Sequence, residues 1–228
     1  PLAELVEEIS SLPGLWKVRL SSIEPADVTD DLIVATRANP TFAPHFHLPL
    51  QSGSGRVLKR MNRQYTPEEF RDTVDRLHAS FEAPALTADI IVGFAGETDA
   101  DFAETLAMAQ YAAFSKIHAF PFSAIEGTAA WQWRKQIPAD ATVKARLAEL
   151  SQLETELAAA YHAPFSGKTL EGLVEAGSPD AAGRRQAMTD RYMTIRFAPT
   201  GDVAPGQVRR FTITGTSADG LIGDMLSS

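Results

Sequence analysis

The stretch Leu86-Thr-Ala-Asp-Ile-Ile-Val-Gly-Phe-Ala-Gly-Glu-Thr98 decides the fold class of this chain. Its first part is an apolar run of strand length, and the glycines that follow it mark a tight turn. Thr98 stands three residues before Asp101, a spacing that predicts the capping box of a helix. A buried strand that turns directly into a helix is the unit of a parallel α/β sheet.

The same alternation of strands and helices occurs on both sides of this stretch. Apolar runs predict three further strands at residues 16–22, 46–51 and 117–122. Thr29 and Thr66 are the predicted N-caps of two intervening helices, and a longer helix is predicted over residues 140–161. Four strands are fewer than the eight of a closed (β/α)8 barrel, so residues 1–163 are predicted to form a partial α/β barrel, or alternatively an open α/β sheet.

The pattern changes after residue 163. Short alternating strands are predicted at residues 170–174, 192–197 and 208–214, separated by Gly and Pro-Asp. In the second of these strands, alternate residues divide into a polar face (Tyr192, Thr194, Arg196) and an apolar face (Met193, Ile195, Phe197). About 60 residues with four or five such strands predict a second domain, an all-β barrel of OB-like size over residues 164–228.

Composition excludes several classes of protein. The chain has 228 residues, of which 44% are hydrophobic, and it has no cysteine. Disulfides and thiolate metal sites are therefore excluded within it, and no apolar run is long enough to span a membrane. A reducing, cytoplasmic location is the expectation.

The net charge of −8 comes from residues 1–163, with 14 basic and 22 acidic groups, because residues 164–228 hold seven of each. This balance argues against nucleic-acid binding over the whole surface.

Alternate residues place polar side chains on one face of each predicted strand. The pairs are Arg19 with Ser21, His47 with Gln51, Asp89 with Ile91, and Lys116 with His118. A sheet with helices on both faces is expected to be apolar throughout, so these residues indicate a lumen that holds something polar. The alternative is an ordinary solvated sheet face. His47, Asp89 and His118 are the candidates for chemistry in this lumen.

Three turns follow the predicted strands, at residues 21–25, 51–55 and 93–98. The sites of α/β folds lie at these strand ends, where glycine allows close approach of the backbone and helix N-termini offer free N–H groups. The plain alternative is a tight turn between strand and helix. His45 and His47 would face the same way on a strand, but no second group of ligands follows at metal spacing, so no metal site is predicted.

Three long motifs stand in a characteristic order. They are His45-Phe-His-Leu-Pro-Leu-Gln-Ser-Gly-Ser54, then Arg56-Val-Leu-Lys-Arg-Met-Asn-Arg63 with Tyr65-Thr66, then Asp89-Ile-Ile-Val-Gly-Phe-Ala-Gly-Glu-Thr98. Along nearly the whole chain, this sequence resembles the radical-SAM tRNA methylthiotransferases. The segment Arg19-Leu-Ser-Ser-Ile-Glu-Pro25 resembles the branch that acts on N6-threonylcarbamoyladenosine 37 of tRNA more than the isopentenyladenosine branch.

The resemblance implies a cofactor and two clusters. Family members cleave S-adenosylmethionine on a [4Fe–4S] cluster, and a second [4Fe–4S] cluster supplies sulfur for the methylthio group at C2 of the adenine. The turn at residues 51–54 is expected to contact the ribose or amino-acid part of the cofactor, and residues 91–96 its adenine. The implied cofactor-binding residues are Ser21, Gln51, Ser52, Gly53, Ser54, Ile91, Gly93 and Gly96.

The resemblance also implies that residues 164–228 are a TRAM domain, a β-barrel that holds the tRNA anticodon stem-loop. Arginine suits phosphate and tyrosine suits stacking on an unpaired base. The expected RNA contacts are Lys168, Arg184, Arg185, Arg191, Tyr192, Arg196, Arg209 and Arg210. The alternative is an ordinary charged surface.

The sequence departs from the family in several places. The radical cluster needs a C-x3-C-x2-C run and the second cluster three more cysteines, and all are absent, as are the first two barrel strands and an N-terminal domain. Ala95 replaces a usual proline, and residues 125–129 replace a usual Arg-Pro-Gly-Thr-Pro. We expect this chain alone to hold no cluster, to be inactive, and to need the N-terminal portion of the enzyme as its partner.

Two other functions stay open. The chain is alternatively a non-catalytic RNA-binding module whose working part is the C-terminal barrel. A weaker alternative is an unrelated α/β-barrel enzyme that uses His47, Asp89 and His118 for acid–base chemistry.

Overall fold

The structure, a computed structural model, describes residues 1–201, 203–217 and 220–226. A three-stranded sheet with helices comes first in the chain, and a closed five-stranded barrel follows it. The α-helices are α1 (Leu2–Ser10), α2 (Asp30–Ala38), α3 (Gly55–Arg60), α4 (Pro67–Ser80), α5 (Asp99–Ala112) and α6 (Asp140–His162). Short 3-10 helices lie at Pro25–Asp27, Ala129–Gln136 and Ala163–Phe165. The strands are β1 (His45–His47), β2 (Ala85–Val92), β3 (Lys116–Pro121), β4 (Thr169–Val174), β5 (Arg185–Thr189), β6 (Thr194–Phe197), β7 (Val208–Ser217) and β8 (Gly220–Met225).

The sheet is parallel, in the order β1-β2-β3, and its helices begin where the sequence predicts. The Thr66 side chain accepts a hydrogen bond from the backbone of Glu69, and Thr98 accepts one from Asp101, with the reciprocal bond present in both capping boxes. These two caps fix the starts of α4 and α5, which connect β1 to β2 and β2 to β3. The register sets Asp89 directly opposite His118.

The strand predicted at residues 16–22 is wrong. Only one isolated bridge forms there, between Val18 and Phe42. The ladder stops because the next donor, His45 N, turns back to the Ala43 carbonyl at 2.7 Å. The sheet therefore has three strands rather than the four predicted. The strand predicted at residues 46–51 is also shorter: Leu48 N donates to the Thr87 carbonyl, but the next donor to β2 is Gln51 N, to Asp89, one residue out of the ladder's register.

The C-terminal part is a closed five-stranded barrel in the order β4-β5-β6-β8-β7. Met193, Ile195 and Phe197 are buried, which confirms the predicted apolar face, and the rings of Phe197 and Phe211 lie 4.8 Å apart in the core. Strands β5 and β8 lie outside the three strands predicted for this domain. In β8, a Cβ on Gly220 would lie 2.4 Å from the Thr194 carbonyl oxygen. Glycine is required there by close strand approach, although in the sequence it resembles a turn residue.

The barrel packs against the end of the sheet at which the strands begin. Arg191 donates hydrogen bonds to the carbonyls of Glu82 and Ala83, each at 3.0 Å. The hydroxyl of Tyr161 also donates to Ala83, at 2.9 Å, and Trp16 Nε1 donates to Glu171 at 3.2 Å. Each part has its own hydrophobic cluster. These two clusters agree with a domain boundary at residue 163, which stays a prediction.

Candidate functional site

A polar cavity of about 810 Å³ lies between the lumen face of the sheet, α6 and the turn that joins β5 to β6. The three lumen candidates line it together. His47 Nε2 lies 3.4 Å from Asp89 Oδ2, and the rings of His47 and His118 are 6.0 Å apart between centroids. The structure therefore brings together side chains that the alternation of residues placed on one face. Their chemical roles stay a prediction.

His47 is held between two partners. Its Nδ1 lies 2.9 Å from Thr87 Oγ1 on the neighbouring strand, and its Nε2 faces the carboxylate of Asp89. An imidazole placed between a hydroxyl and a carboxylate has a fixed ring orientation and is able to hold or pass on a proton. The Asp89 side chain is 33% exposed, so this pair is open to the cavity.

The deep end of the cavity contains two buried imidazoles. His45 and His162 are 4% and 7% exposed, and in the described chain neither Nδ1 has a hydrogen-bond partner. The guanidinium of Arg19 stacks on the Tyr192 ring at 3.7 Å, and that ring lies 5.2 Å from His45. Burial, together with the positive charge of Arg19 and the neighbouring His47, lowers the pKa of His45 to about 4. Burial also lowers the pKa of His162.

Because these two imidazoles are buried in their neutral form, we expect the stability of the fold to decrease at acidic pH. The unfolded chain protonates His45 near pH 6.5, but the fold keeps it neutral down to about pH 4. The stability that this difference provides is present above pH 6.5 and is lost as the pH falls towards 4. We expect the loss from His45 to approach about 3 kcal/mol. Urea denaturation between pH 7 and 4 measures it.

A phenylalanine variant isolates the contribution of His45. We expect His45→Phe to flatten the pH profile of the unfolding free energy over this range. His78→Phe is the control, since it removes an exposed imidazole from α4 without touching the cavity. A His45→Phe profile that parallels that of the parent chain would contradict the prediction.

The turn after β1 packs against α5. Ser52 and Ser54 are fully buried, and Ser54 Oγ donates to Asp101 Oδ1 at 2.7 Å. Gly53 N donates to Thr105 Oγ1 at 2.9 Å. Gln51, also buried, adopts a left-handed backbone with φ of 58°. These implied cofactor residues thus use their polar groups to fix the turn to a helix, and a role in cofactor binding stays a prediction.

The turn after β2 is held in a similar way. Gly93 N donates to Glu97 Oε2 at 2.8 Å, and Gly96 N donates to the Gln136 carbonyl at 2.8 Å. Both glycines have a left-handed φ, of 80° and 81°, which a residue with a Cβ rarely adopts. Arg146, from α6, binds Glu97 Oε2 at 2.6 Å. The turn is therefore rigid on the side that faces α6.

Two of the eight implied cofactor residues, Ser21 and Ile91, line different cavities. Ser21 lines the polar cavity of about 810 Å³. Ile91 lines a second pocket of about 480 Å³ at the carboxyl end of the strands, together with Phe94 and Trp133. Apolar and aromatic walls of this kind fit the adenine of S-adenosylmethionine. An iron–sulfur cluster does not fit the chain in the same way, because its usual ligands are cysteine thiolates and the sequence has none.

Several of the expected RNA contacts already have partners within the chain. Arg184 and Arg196 lie against Asp180, at 3.1 and 3.7 Å, and Arg185 donates to the carbonyls of Val203 and Glu175. Arg209 donates to Gln207 Oε1 at 2.7 Å. Arg191 and Tyr192 lie at the junction between sheet and barrel, Lys168 extends over Phe165 at 5.5 Å, and Arg210 is exposed.

One feature of the site lies outside the residues predicted for it. The 3-10 helix Ala129–Gln136 lies beside the mouth of the second pocket and carries Trp131 and Trp133. The run Trp131-Gln-Trp-Arg-Lys135 was an available signal, because aromatic and basic residues alternate in it. Within the described residues, no group of three or more His, Asp or Glu is placed to hold a metal ion, and no helix has both the length and the apolar character to cross a membrane.

Comparison with known proteins agrees with the fold and the motifs. Residues 1–109 match the model of the radical SAM superfamily. The solved structure of coproporphyrinogen III oxidase from Escherichia coli, described as a radical SAM enzyme, superposes with a TM-score of 0.53 at 18% identity, over 68% of this chain and 36% of that one. The first 109 residues are therefore similar to the radical SAM superfamily, and the solved structure shares the fold.

The curated relatives indicate a narrower family. Threonylcarbamoyladenosine tRNA methylthiotransferase MtaB of Chlamydia pneumoniae is 36% identical over 99% of this chain and 52% of its own length. The tRNA-2-methylthio-N(6)-dimethylallyladenosine synthase of Anaeromyxobacter sp. (strain K) is 38% identical over 95% and 48%. That of Mycolicibacterium paratuberculosis is 37% identical over 97% and 43%. The predicted kinship with the radical-SAM tRNA methylthiotransferases is thus confirmed. The chain spans about half the length of these relatives.

Proposed function

We propose that this chain is part of a tRNA methylthiotransferase that adds a methylthio group to C2 of a hypermodified adenosine 37, with the threonylcarbamoyl type favoured. The observation that carries this proposal is the similarity to curated methylthiotransferases over 95–99% of the chain. Relatives of both the threonylcarbamoyl and the dimethylallyl type occur at nearly equal identity. The preference therefore depends on the segment from Arg19 to Pro25.

S-adenosylmethionine is the proposed cofactor, and it supplies the methyl group and the radical chemistry when bound. Ile91 and Phe94 would form the apolar wall for its adenine in the second pocket. Gly93 and Gly96 would border it, and packing also requires each glycine, because a Cβ would meet Val143 at 2.6 Å or Arg60 at 2.8 Å. Ser21 and the turn at residues 51–54 would border its polar part. The clusters would depend on cysteines from another segment, because this chain has none.

The C-terminal barrel is the proposed TRAM domain, and it would hold the anticodon stem-loop. Its seven basic and seven acidic groups give it no net attraction for RNA, so contact would depend on local placement of the basic side chains. Arg210 and Lys168 are the exposed basic members of the implied set, and Tyr192 is exposed as well. A cytoplasmic location goes with this proposal, because the tRNA substrate is there. A non-catalytic RNA-binding module is the second candidate, favoured by the lack of cysteine.

RNA binding tests the proposal. Fluorescence anisotropy compares an unmodified tRNA anticodon stem-loop with a scrambled hairpin of equal length across a salt series. We expect tighter binding of the stem-loop, weakening steeply with salt because phosphate contacts release counterions. Arg210→Ala with Lys168→Ala should weaken it. An absence of binding at low salt would contradict the proposal that the barrel holds RNA.

Anaerobic reconstitution with iron and sulfide tests the proposal about clusters. We expect the ultraviolet–visible spectrum to lack stoichiometric iron–sulfur absorption, and we expect the chain alone to transfer no methylthio group. Stoichiometric absorption that survives gel filtration would show that other side chains hold a cluster, and it would overturn this part of the proposal.

A further inference from the structure

A basic and aromatic surface lies at the carboxyl end of the strands, where α3 meets the 3-10 helix Ala129–Gln136. We call it the mouth surface, and it consists of Lys59, Arg60, Trp131, Trp133, Arg134 and Lys135. Its two sides are joined, because the guanidinium of Arg60 lies 4.7 Å above the Trp133 ring and donates to Gln136 Oε1 at 2.5 Å. The Arg134 guanidinium lies 4.7 Å above the Trp131 ring.

The charge of this surface is opposite to that of the chain. Segments 55–63 and 128–136 contain six basic residues and no acidic residue, although the whole chain has a net charge of −8. Arg56 and Arg63 are paired with Asp101 and Glu24. The other four basic residues, Lys59, Arg60, Arg134 and Lys135, form no ion pair with any carboxylate in the described chain. Four unpaired positive charges in one place attract a polyanion.

The aromatic residues of this surface are not part of a core. No residue of Ala129–Gln136 is buried, and both tryptophans are only half-buried. The Trp133 ring is held edge-on by Phe94 at 6.4 Å. Nearby in the chain, Ile125 is 68% exposed. Tryptophan is normally well buried, and flat aromatic faces beside free cations are the usual means of binding single-stranded nucleic acid.

We propose that the mouth surface binds unpaired nucleotides of RNA. A base stacks on Trp131 or Trp133, and Lys59, Arg134 and Lys135 contact the phosphates on either side. The pocket of about 480 Å³ next to Trp133 opens towards Ile91, so a nucleotide held here stands at the carboxyl end of the lumen. The choice of RNA as the polyanion rests on the proposed function, in which tRNA is the substrate. The mouth surface would add to that function an RNA contact outside the C-terminal barrel.

S-adenosylmethionine is a poorer match to this surface. The cofactor carries a sulfonium, an ammonium and one carboxylate, and its net charge is therefore positive. The four unpaired cations of the mouth surface repel such a ligand, whereas they attract a phosphodiester chain. The adjacent pocket shares Arg60 and Trp133 with the mouth surface, so Ile91 and Phe94 are the apolar residues that this proposal leaves to the adenine of the cofactor.

Fluorescence anisotropy with a short labelled single-stranded RNA, and with the same sequence as a duplex, tests the proposal. We expect tighter binding of the single strand. Trp131→Ala with Trp133→Ala should weaken it about tenfold or more through lost stacking. Arg134→Ser with Lys135→Ser should lower the slope of log affinity against log salt by about 1.4, because two phosphate contacts are lost.

Matched variants distinguish RNA binding at the mouth surface from RNA binding by the C-terminal barrel. Arg37→Ser with Arg71→Ser removes the same charge from exposed positions on α2 and α4 and should leave the affinity within about twofold. If only Arg210→Ala with Lys168→Ala weakens binding, the mouth proposal fails and the proposed function stands. If no RNA binds at low salt, both fail. Equal binding of duplex and single strand overturns the mouth proposal alone.

A second ligand provides the remaining comparison. Equilibrium dialysis with S-adenosylmethionine shows whether the mouth surface belongs to the cofactor instead. We expect Trp131→Ala with Trp133→Ala to lower RNA affinity more than cofactor affinity. Loss of cofactor binding with unchanged RNA binding would overturn the proposal. Circular dichroism and thermal melting of each variant establish that it is folded before either measurement.

Discussion

Replacement of Arg146 by methionine is expected to lower the free energy of unfolding by about 3–5 kcal/mol at neutral pH. Arg146 is 6% exposed and binds Glu97, which is 5% exposed, at 2.6 Å, and Asp99 at 2.7 Å. Glu97 also accepts the N–H of Gly93 and so supports the turn after β2. Removal of the guanidinium leaves a buried carboxylate without its counter-charge, which is costlier than loss of an exposed pair.

The loss should depend on pH. Burial raises the pKa of Glu97 even with Arg146 beside it. A carboxyl group whose pKa is raised in the fold destabilises the fold when ionised, and that penalty disappears as the pH falls below the pKa. In Arg146→Met the pKa should rise further. The difference from the parent chain is therefore expected to be largest near pH 7 and to shrink as the pH is lowered.

Two further variants establish the cause. Arg146→Met combined with Glu97→Gln should recover part of the loss, because the ionisable group is gone. Lys116→Met removes the ion pair between Lys116 and Glu154. Because the Lys116 side chain is 55% exposed, the loss of unfolding free energy should be less than about 1 kcal/mol. Urea denaturation measures all four proteins. The prediction is wrong if Arg146→Met costs no more than Lys116→Met.

Substitution of Gly53 by alanine is expected to cost about 3 kcal/mol, near the upper end for an overpacked site. A Cβ at this position would lie 2.4 Å from the Glu104 carbonyl oxygen and 2.6 Å from Thr105 Cα. Both are backbone atoms of α5, which cannot rotate away. The turn would have to separate from the helix, and the bond from Gly53 N to Thr105 Oγ1 would be lost.

Gly55 provides a matched control two residues away. A Cβ there would approach only the side chain of Pro67, at 3.5 Å, an ordinary contact. Because Gly55 begins α3 and alanine favours helices, Gly55→Ala should be neutral or stabilising by up to about 1 kcal/mol. Equal losses for the two variants would contradict the packing explanation for Gly53.

Local signals in the sequence predicted much of the fold. Thr66 and Thr98 were identified as caps because all partners in a capping box lie within four residues. The strand at residues 16–22 failed because its ladder depends on residues 41–45, whose conformation the local pattern does not contain. Strand β8 was missed since Gly220 and Gly223 are required by close contacts with Thr194 and Thr212, both distant along the chain.

In the candidate site, too, the residues set by local sequence are predicted and the contacts with distant residues are not. His47, Asp89 and His118 were placed together because alternation along a strand is local, and parallel register then aligned them. Arg191 is predicted to contact RNA from its residue type, and this role stays a prediction; in the structure it donates hydrogen bonds to Glu82 and Ala83, more than a hundred residues earlier. No pattern in the sequence reveals a partner at that separation.

Hydrogen–deuterium exchange of the chain, with and without a saturating unmodified anticodon stem-loop, tests most directly whether this chain holds the RNA in a tRNA methylthiotransferase. We expect slower exchange in two places, the barrel strands that carry the implied contacts and the segment Ala129–Gln136 at the mouth surface. The outer helices α2 and α4 should exchange as before. Unchanged exchange throughout the chain, or protection confined to α2 and α4, would contradict the proposal that this chain binds the substrate tRNA.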